Sequence, residues 1–146
     1  MGFIFPSRVT RVSDDFADHV ARNSVNPGID FVTPAGTPVW ATGAGVVKVA
    51  DGNPDGAGGR MVVISHGAGV TSEYLHLQRV TVKVGDMVKQ HQEIGLSGGS
   101  GFGKENGYAP HLHYAHKVKG VNKDFLAIMA AQVKRAKAKA AKAAKG

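Results

Sequence analysis

The sequence predicts a single antiparallel β-domain of short strands that ends in a helical segment. Its 146 residues suffice for one modest core, and 42% of them are hydrophobic, as in ordinary globular proteins. The 20 glycines and the aromatic share of only 7% favour short strands with tight turns, because glycine destabilises helix interiors and suits turns. The predicted fold class is therefore all-β with a helical C-terminal end.

The predicted elements follow this pattern along the chain. Residues 3–11 are expected to be extended, and residues 14–22 to form a brief helix with Ser13 as its N-cap. Residues 122–132 are predicted to be helical. The predicted strands are short apolar runs bounded by turn residues, at 39–41, 46–50, 61–66, 70–77, 80–84, 87–88, 93–96 and 111–118. Two long glycine-rich loops, residues 51–60 and 97–110, separate them, and loops of this length are often functional.

Charge and cysteine content narrow the possible sites. The chain has no cysteine, so any metal must be bound by histidine and carboxylate side chains. The formal net charge is +7, but six of the 18 basic residues lie in residues 134–146, which contain no acidic residue. The rest of the chain carries 12 basic and 11 acidic residues. We therefore expect a nearly neutral domain over residues 1–120, a short helix over 121–133 and a Lys/Ala-rich basic tail over 134–146.

Three histidines and one aspartate form the pattern that carries chemistry. His111 and His113 are two positions apart on the last predicted strand, so they point to one face, while His116 points to the other. Asp30 follows a Pro-Gly turn, and His76 lies between leucines in a predicted strand. Taken singly, these are more often a turn aspartate and hydrogen-bonded histidines. Together, they could supply a catalytic metal site with proton carriers beside it.

The order of these motifs resembles the lysostaphin/LytM zinc endopeptidases over residues 5–117. NPGID at residues 26–30 is similar to the family's H-x-G-x-D motif, and PHLHY at residues 110–114 to its closing H-x-H strand. The segments between them resemble the family's strand pair, central hairpin and later turns, at residues 33–47, 66–77 and 84–101. The resemblance implies an antiparallel β-sheet groove of the LytM type, related to the duplicated hybrid motif.

The resemblance also implies a function and a set of roles. The chain would be a zinc-dependent endopeptidase that cleaves peptide bonds in bacterial peptidoglycan. Asp30 and His113 would be zinc ligands, and His76 and His111 would be the catalytic pair that moves protons beside the metal, with ordinary pKa values near ~6.5.

The remaining residues of interest would surround this site. The two long loops would wall the substrate groove, and Tyr108 and Trp40 are candidates to line it or to support it. His66 would be a turn residue, and His91 a surface residue.

Asn26 departs from the family pattern, because the family has its first zinc-binding histidine at this position. A neutral carboxamide oxygen is a weak zinc ligand beside imidazole, so either the site is weakened or another residue completes it. His19 is the only histidine upstream, and it could replace the missing ligand if residues 14–22 form a helix packed over the sheet. Otherwise it would be a solvent-facing helix residue. We expect His19 to be the third ligand, because a module that only binds would not need the proton-carrying pair.

Two other functions are compatible with parts of the sequence. A weakened metal site would suit a non-catalytic LytM-like module that binds the cell wall, regulates, or forms part of a virion. The glycine-rich pattern at residues 84–90 is also seen in lipoyl- or biotinyl-type carrier domains. A carrier would need a modifiable lysine at an exposed hairpin tip, and it would leave the H-x-H strand unexplained.

The basic tail and the chain's start suggest how the protein is delivered. The tail is either a flexible solvated end or a cationic segment that attracts anionic cell-wall polymers or membranes, whereas nucleic-acid binding is disfavoured because aromatic residues are missing there. Residues 1–6 are too short for a secretory signal, and no stretch approaches a transmembrane helix. We expect a monomeric phage endolysin that is made in the cytoplasm and reaches the wall after holin-type release, or one carried on a virion.

Overall fold

The computed structural model describes residues 2–145, which form one antiparallel sheet flanked by two helices. The strands, in chain order, are β1 (Val12–Asp14), β2 (Ile29–Phe31), β3 (Pro38–Trp40), β4 (Gly45–Asp51), β5 (Arg60–Gly67), β6 (Val70–Val80), β7 (Met87–Val88), β8 (Glu93–Ser97), β9 (Leu112–Val118) and β10 (Val121–Lys123). The helices are α1 (Phe16–Ala21) and α2 (Phe125–Lys145).

The strand order brings distant parts of the chain together. The sheet runs β1-β2-β9-β6-β5-β4-β7, with β10 paired to β9, and β8 paired to both β3 and β6. In this register His113 of β9 lies opposite Asp30 of β2 on one side and Leu75 of β6 on the other. Residues far apart in sequence therefore meet on three neighbouring strands.

The predicted fold class is confirmed, while several element boundaries differ. The hairpin about residues 67–69 forms as expected between β5 and β6. The strand predicted over residues 80–84 is wrong, because β6 continues to Val80 and residues 81–86 form no strand. Strands β1, β2 and β10, of three residues each, were not predicted. Ser13 belongs to β1, and the N-cap of α1 is Asp15 instead.

Helix α2 is longer than the helix predicted over residues 122–132. Asp124 accepts a hydrogen bond from the backbone N–H of Leu126, and the helix then continues to Lys145 because alanine and lysine both favour helix. Every described residue from Val133 onward is exposed, so this half of the helix is surrounded by solvent. Within residues 2–145, neither helix has the length and apolar character that would let it cross a bilayer.

The core lies between the sheet, the N-terminal segment and the start of α2. Its largest fully buried side chains include two tyrosines whose hydroxyls are both hydrogen-bonded to Thr42. Burying an aliphatic or aromatic side chain of this kind stabilises the fold by roughly 1.5–3 kcal/mol. The buried cluster consists of Ile29, Phe31, Val39, Ala41, Val47, Val62, Ile64, Tyr74, Leu77, Val82, Val88, Ile94, Leu112, Tyr114 and Phe125.

A chain of hydrogen bonds crosses this core between two histidines. It passes, in order, through His66, Ser72, Tyr74, Thr42, Tyr114 and His116. His116 is buried against Phe3 and Phe125, on the opposite face of β9 from His113 as the alternation predicts. Burial, and to a lesser extent the charge of His66, lowers the pKa of His116 to about 4. His116 is therefore neutral in the folded protein at pH 7.

We expect His116 to make the fold sensitive to acid. The unfolded chain binds a proton near the ordinary pKa of 6.5, whereas folded His116 resists protonation down to about 4. Stability is therefore lost as the pH falls between these values, by up to roughly 3 kcal/mol. Urea unfolding at pH 7.5 and pH 4.5 measures this loss. The variant His116→Gln keeps a polar partner for Tyr114 and should show a smaller loss; an unchanged loss would contradict the assignment.

Candidate metal centre

Asp30 and His113 face each other across the β2–β9 pair. The Nδ1 atom of His113 lies 2.9 Å from Oδ1 of Asp30. Gly28 permits this close pairing, because a Cβ atom at that position would overlap the carbonyl oxygen of Tyr114 on β9. The Pro-Gly turn thus sets the spacing that places the carboxylate beside the imidazole.

His19 reaches the same carboxylate from α1. The helix begins with a reciprocal capping box, in which Asp15 and Asp18 each accept the backbone N–H of the other. His19 is the buried residue of α1, and its Nε2 atom lies 3.3 Å from Oδ2 of Asp30. One ligand atom from each of His19, Asp30 and His113 can be chosen so that all three lie within 4.8 Å of one another.

The hydrogen bonds of the two rings show which nitrogens face the carboxylate. Nδ1 of His19 donates to the carbonyl of Asp15 at 2.8 Å, and Nε2 of His113 donates to the carbonyl of Asn26 at 3.0 Å. A neutral imidazole has one N–H, so the nitrogens that face Asp30 carry lone pairs. Three acceptor groups converge on one point, which is unfavourable unless a cation lies between them. Two oriented imidazoles and a carboxylate suit a metal ion.

Asp30 is held in its ionised form. Burial by itself raises the pKa of this carboxyl group, but the protonated form of His113 would donate a hydrogen bond to it, and that bond, with the positive charges that His113, His111 and His19 carry when protonated, lowers the pKa by more. The net effect is a pKa below the ordinary value of 3.8. The centre therefore holds a negative charge at neutral pH.

Asn26 directs its side chain away from this centre. Its Nδ2 donates to Glu73 at 3.0 Å, and its Oδ1 accepts from Asn122 at 2.7 Å. Glu73 is paired in turn with Lys117 at 2.9 Å. The carboxamide thus belongs to a polar network that fastens the turn to β6, β9 and β10. Of the two residues considered for the third position, the structure brings His19 beside Asp30, as expected.

His111 and His76 lie next to the cluster. His111 directly precedes β9 and donates from Nδ1 to the carbonyl of Ala109 at 2.8 Å, which leaves Nε2 3.8 Å from Asp30. His76 donates from Nδ1 to the carbonyl of Ser100 at 3.0 Å, and its ring centroid lies 4.7 Å from that of His111. All four site histidines therefore use one nitrogen to bond a backbone carbonyl and keep the other for the site.

His76 differs from the expectation of an ordinary pKa. Burial lowers its pKa to about 4, with the charge of His111 as the next cause, while the hydrogen bond to Ser100 opposes the shift only in part. The ring is therefore neutral at pH 7, with Nε2 as its basic nitrogen. Its backbone has a φ of +63°, a left-handed conformation that non-glycine residues seldom adopt. Such strain is common at functional sites.

These residues lie in an open groove of about 510 Å³. The two long loops contribute to its walls, as predicted, through Ala57 and Gly58 from the first and Tyr108 from the second. The side chains and backbone that line it are His19, Arg22, Ser24, Val25, Asn26, Asp30, Ala57, Gly58, Met61, Leu75, His76, Tyr108, His111 and His113.

Other predicted residues lie elsewhere. Trp40 does not line this groove and packs on exposed His91, with ring centroids 4.1 Å apart. His66 is not in the turn but within β5, where it bonds the carbonyl of Ala44 and the hydroxyl of Ser72.

Sequence reasoning missed the apolar part of the groove and the residues that orient the site. Met61 and Leu75 form an apolar wall, but in the sequence they look like ordinary alternating strand residues. Asn122 holds Asn26 across the sheet, and nothing in its sequence surroundings marks it. The backbone carbonyl of Ser100 orients His76, and a backbone group leaves no trace in the residue type.

Comparisons with known proteins show the family of this chain. The sequence pattern of peptidase family M23 matches residues 24–125. The peptidoglycan DD-endopeptidase ShyC of Vibrio cholerae is 46% identical over 97 residues, which are 66% of this chain and 21% of the relative. Lysostaphin of Staphylococcus simulans is 38% identical over 91 residues, 62% of this chain and 18% of the relative. The chain therefore spans about a fifth of the length of these relatives.

The fold gives the same result. The crystal structure of a zinc-containing peptidase from Vibrio cholerae superposes with a TM-score of 0.70 and 34% sequence identity, over 85% of this chain and 39% of that one. The matched segment contains Asp30, His76, His111 and His113, whereas His19 precedes it. On the sequence pattern and the fold together, the chain belongs to peptidase family M23.

Proposed function

We propose that this chain is a zinc-dependent endopeptidase that hydrolyses peptide bonds in bacterial peptidoglycan. The observation that carries the proposal is the convergence of His19, Asp30 and His113 beside two further histidines in an open groove. The relatives named above, a peptidoglycan DD-endopeptidase and lysostaphin, and the zinc-containing peptidase structure support it.

His19, Asp30 and His113 would hold the zinc ion. Two neutral imidazole nitrogens and one carboxylate are a common protein ligand set for catalytic zinc, which keeps a further position open. When bound there, zinc supplies a Lewis acid that polarises a peptide carbonyl and makes water a better nucleophile. The carbonyls of Asp15 and Asn26 fix the orientation of the two rings, so the chain holds its ligands in place before the metal arrives.

His76 and His111 would move the protons of the hydrolysis. Neutral His76 can accept a proton at Nε2, because Nδ1 is bonded to Ser100. His111 keeps Nε2 3.8 Å from Asp30, near enough to the cluster to hold or return a proton to a leaving amine. Apolar Met61 and Leu75 exclude water from one side of the groove, while the small loop residues Ala57 and Gly58 let an extended peptide approach closely.

Replacing His19 should remove most of the zinc, whereas replacing Asn26 should not. His19→Ala leaves two protein ligands, and we expect zinc content to fall from about one per chain to well below half. Asn26→Ala breaks only the hydrogen bonds to Glu73 and Asn122, so it should keep its zinc and lose some stability. Metal analysis of the purified proteins measures the difference, and digestion of purified sacculi measures activity.

The outcomes distinguish an enzyme from a non-catalytic LytM-like module. Zinc that survives His19→Ala but is lost in Asn26→Ala would show that the ligand assignment is wrong. A metal-free wild-type protein that binds sacculi without digesting them would instead show a non-catalytic wall-binding or regulatory module. Sacculi with direct cross-links and sacculi with glycine bridges should both be used. The relatives include a peptidoglycan DD-endopeptidase and a glycyl-glycine endopeptidase.

We also propose that the exposed half of α2 binds anionic wall polymers. It carries six cations without an acidic residue, namely Lys134, Arg135, Lys137, Lys139, Lys142 and Lys145. Its other positions are mostly alanine, which offers too little apolar surface for insertion into a bilayer. Replacing all six with glutamine preserves helix propensity and should weaken co-sedimentation with sacculi at least roughly tenfold at low salt.

Salt provides the control for this contact. High salt should weaken the co-sedimentation of the wild-type protein with sacculi, because this binding relies on charge. The co-sedimentation of the six-glutamine variant should be nearly unchanged. Cleavage of a soluble peptide should be equal in the two proteins. Equal co-sedimentation at low salt would rule out the proposed role of the tail. A monomeric state, an origin in phage and release through a separate pore stay predictions.

A further inference from the structure

Tyr108 connects the two loops that wall the groove. Its hydroxyl donates to the carbonyl oxygen of Ala57 in the facing loop at 2.8 Å. Its backbone N–H donates to the carbonyl of Gly99 in its own loop at 2.9 Å. Gly101 lies directly against the ring, and a Cβ atom there would overlap it. The position of the ring is therefore fixed from both loops.

The same ring packs against His76. Their ring centroids lie 4.2 Å apart, and on another side the ring of His111 lies 4.7 Å from that of His76. Tyr108 and His111 contact each other edge to face at 5.8 Å. Because Nδ1 is bonded to Ser100, a rotated imidazole would lose that bond and meet one of the two rings. The orientation of Nε2 therefore depends on Tyr108.

The backbone of His76 makes this support necessary. The left-handed φ of +63° costs free energy, and the backbone N–H is held by the carbonyl of Gly58 at 2.9 Å. Gly58 belongs to the loop that Tyr108 fastens through Ala57. One residue thus supports both the ring of His76 and the loop that holds its backbone.

Tyr108 also lines two cavities. One is the groove of about 510 Å³, and the other is a cavity of about 260 Å³. Gln78, Asn106 and Pro110 contribute to the second cavity. A smaller residue at position 108 would remove the ring that packs on His76 and give the imidazole room to turn.

From these contacts we propose that Tyr108 is a positioning residue, whose ring holds the imidazole of His76 in the orientation that serves the reaction. The inference rests on the proposed function, in which His76 carries a proton. In this role Tyr108 acts through His76, because its ring packs on the imidazole and its hydroxyl is bonded to Ala57. The aromatic ring is the essential part, and the hydroxyl contributes through the loop.

The test compares Tyr108→Leu with Tyr108→Phe on a soluble cross-linked peptide that the wild-type protein cleaves. Tyr108→Leu should lower kcat roughly tenfold or more, with KM within about twofold and zinc content unchanged. Tyr108→Phe keeps the ring and should restore kcat to within about threefold of the wild type. Trp40→Leu is the matched control, because it removes an aromatic ring from a histidine at 4.1 Å outside the groove. It should leave kcat unchanged.

Three results would overturn the inference. They are an unchanged kcat in Tyr108→Leu, an equal loss in Tyr108→Phe, and a raised KM with unchanged kcat, which would make Tyr108 a substrate-binding wall. NMR of the His76 ring protons provides a readout that does not need activity, since the ring current of Tyr108 acts on them. Tyr108→Leu should shift these signals and Tyr108→Phe should not. If the wild-type protein cleaves no wall peptide, the proposed function fails. The NMR test still applies in that case, because unshifted His76 signals in Tyr108→Leu would overturn the contact between Tyr108 and His76.

Discussion

Asp30→Asn should abolish both zinc binding and hydrolysis. The carboxylate is the shared partner of His19 and His113, at 3.3 Å and 2.9 Å, and its charge would balance the cation that these residues are proposed to hold. A carboxamide of the same size keeps the packing and removes that charge. We expect zinc content to fall from about one per chain to near zero, and digestion of sacculi to fall below detection.

Thermal unfolding measures the same loss without an activity assay. A ligand that binds only the folded state at 100 times its Kd stabilises it by about 2.7 kcal/mol, which would raise Tm by roughly 5–10 °C for a chain of this size. Zinc should raise the Tm of the wild-type protein, a chelator should lower it, and neither should affect Asp30→Asn. The control is Asp86→Asn in an exposed turn, where the oxygen can still accept from the N–H of Lys83. Wild-type zinc content in Asp30→Asn would exclude Asp30 as a ligand.

The stabilisation of the fold by bound zinc should be concentrated in α1. This six-residue helix contributes buried His19 and half-buried Phe16 to the rest of the fold, while Val20 is exposed. An anchor this small means that the His19 contact supplies much of the helix's attachment. A metal held by His19 would therefore tie the N-terminal segment to the sheet, so ligand binding and local order are coupled.

The sequence predicted the parts of this site that depend on pattern. Alternation along the strand predicted over residues 111–118 placed His111 and His113 on one face and His116 on the other, because side chains of a strand point to alternate faces. Asp30 was found through its motif, although the three-residue strand that carries it was not. His19 was found by elimination, as the one histidine upstream of the altered motif.

The remainder depends on contacts that only the folded chain makes. The ordinary pKa expected for His76 was wrong, because its value follows from burial and from the neighbouring ring of His111. The role of Asn26 in bonding Glu73 and Asn122 depends on residues 47 and 96 positions away. The sequence predicted the lengths of the two loops, but it did not predict the hydrogen bond from Tyr108 to Ala57 that joins them.

His76→Asn should stop catalysis while sparing the metal. Asparagine tolerates the left-handed backbone at this position better than most residues, so the variant should fold, yet it has no basic nitrogen to accept a proton. We expect kcat to fall by roughly 10²–10⁴ with zinc content near one per chain, and a comparable loss for His111→Ala. His91→Ala removes an exposed histidine outside the groove and should keep full activity.

The combination of readouts assigns the roles. Loss of activity with retained zinc places a residue beside the metal as a proton carrier, whereas joint loss places it among the ligands. Because the pKa of His76 is about 4, its ring stays neutral and able to accept a proton as the pH falls from 7 to 5. A decline of wild-type activity over that range must then come from another group. The decline should persist in His116→Gln, which shows that it does not come from acid destabilisation of the fold through His116. Full activity in either His76→Asn or His111→Ala would refute the proton-carrier role of that histidine.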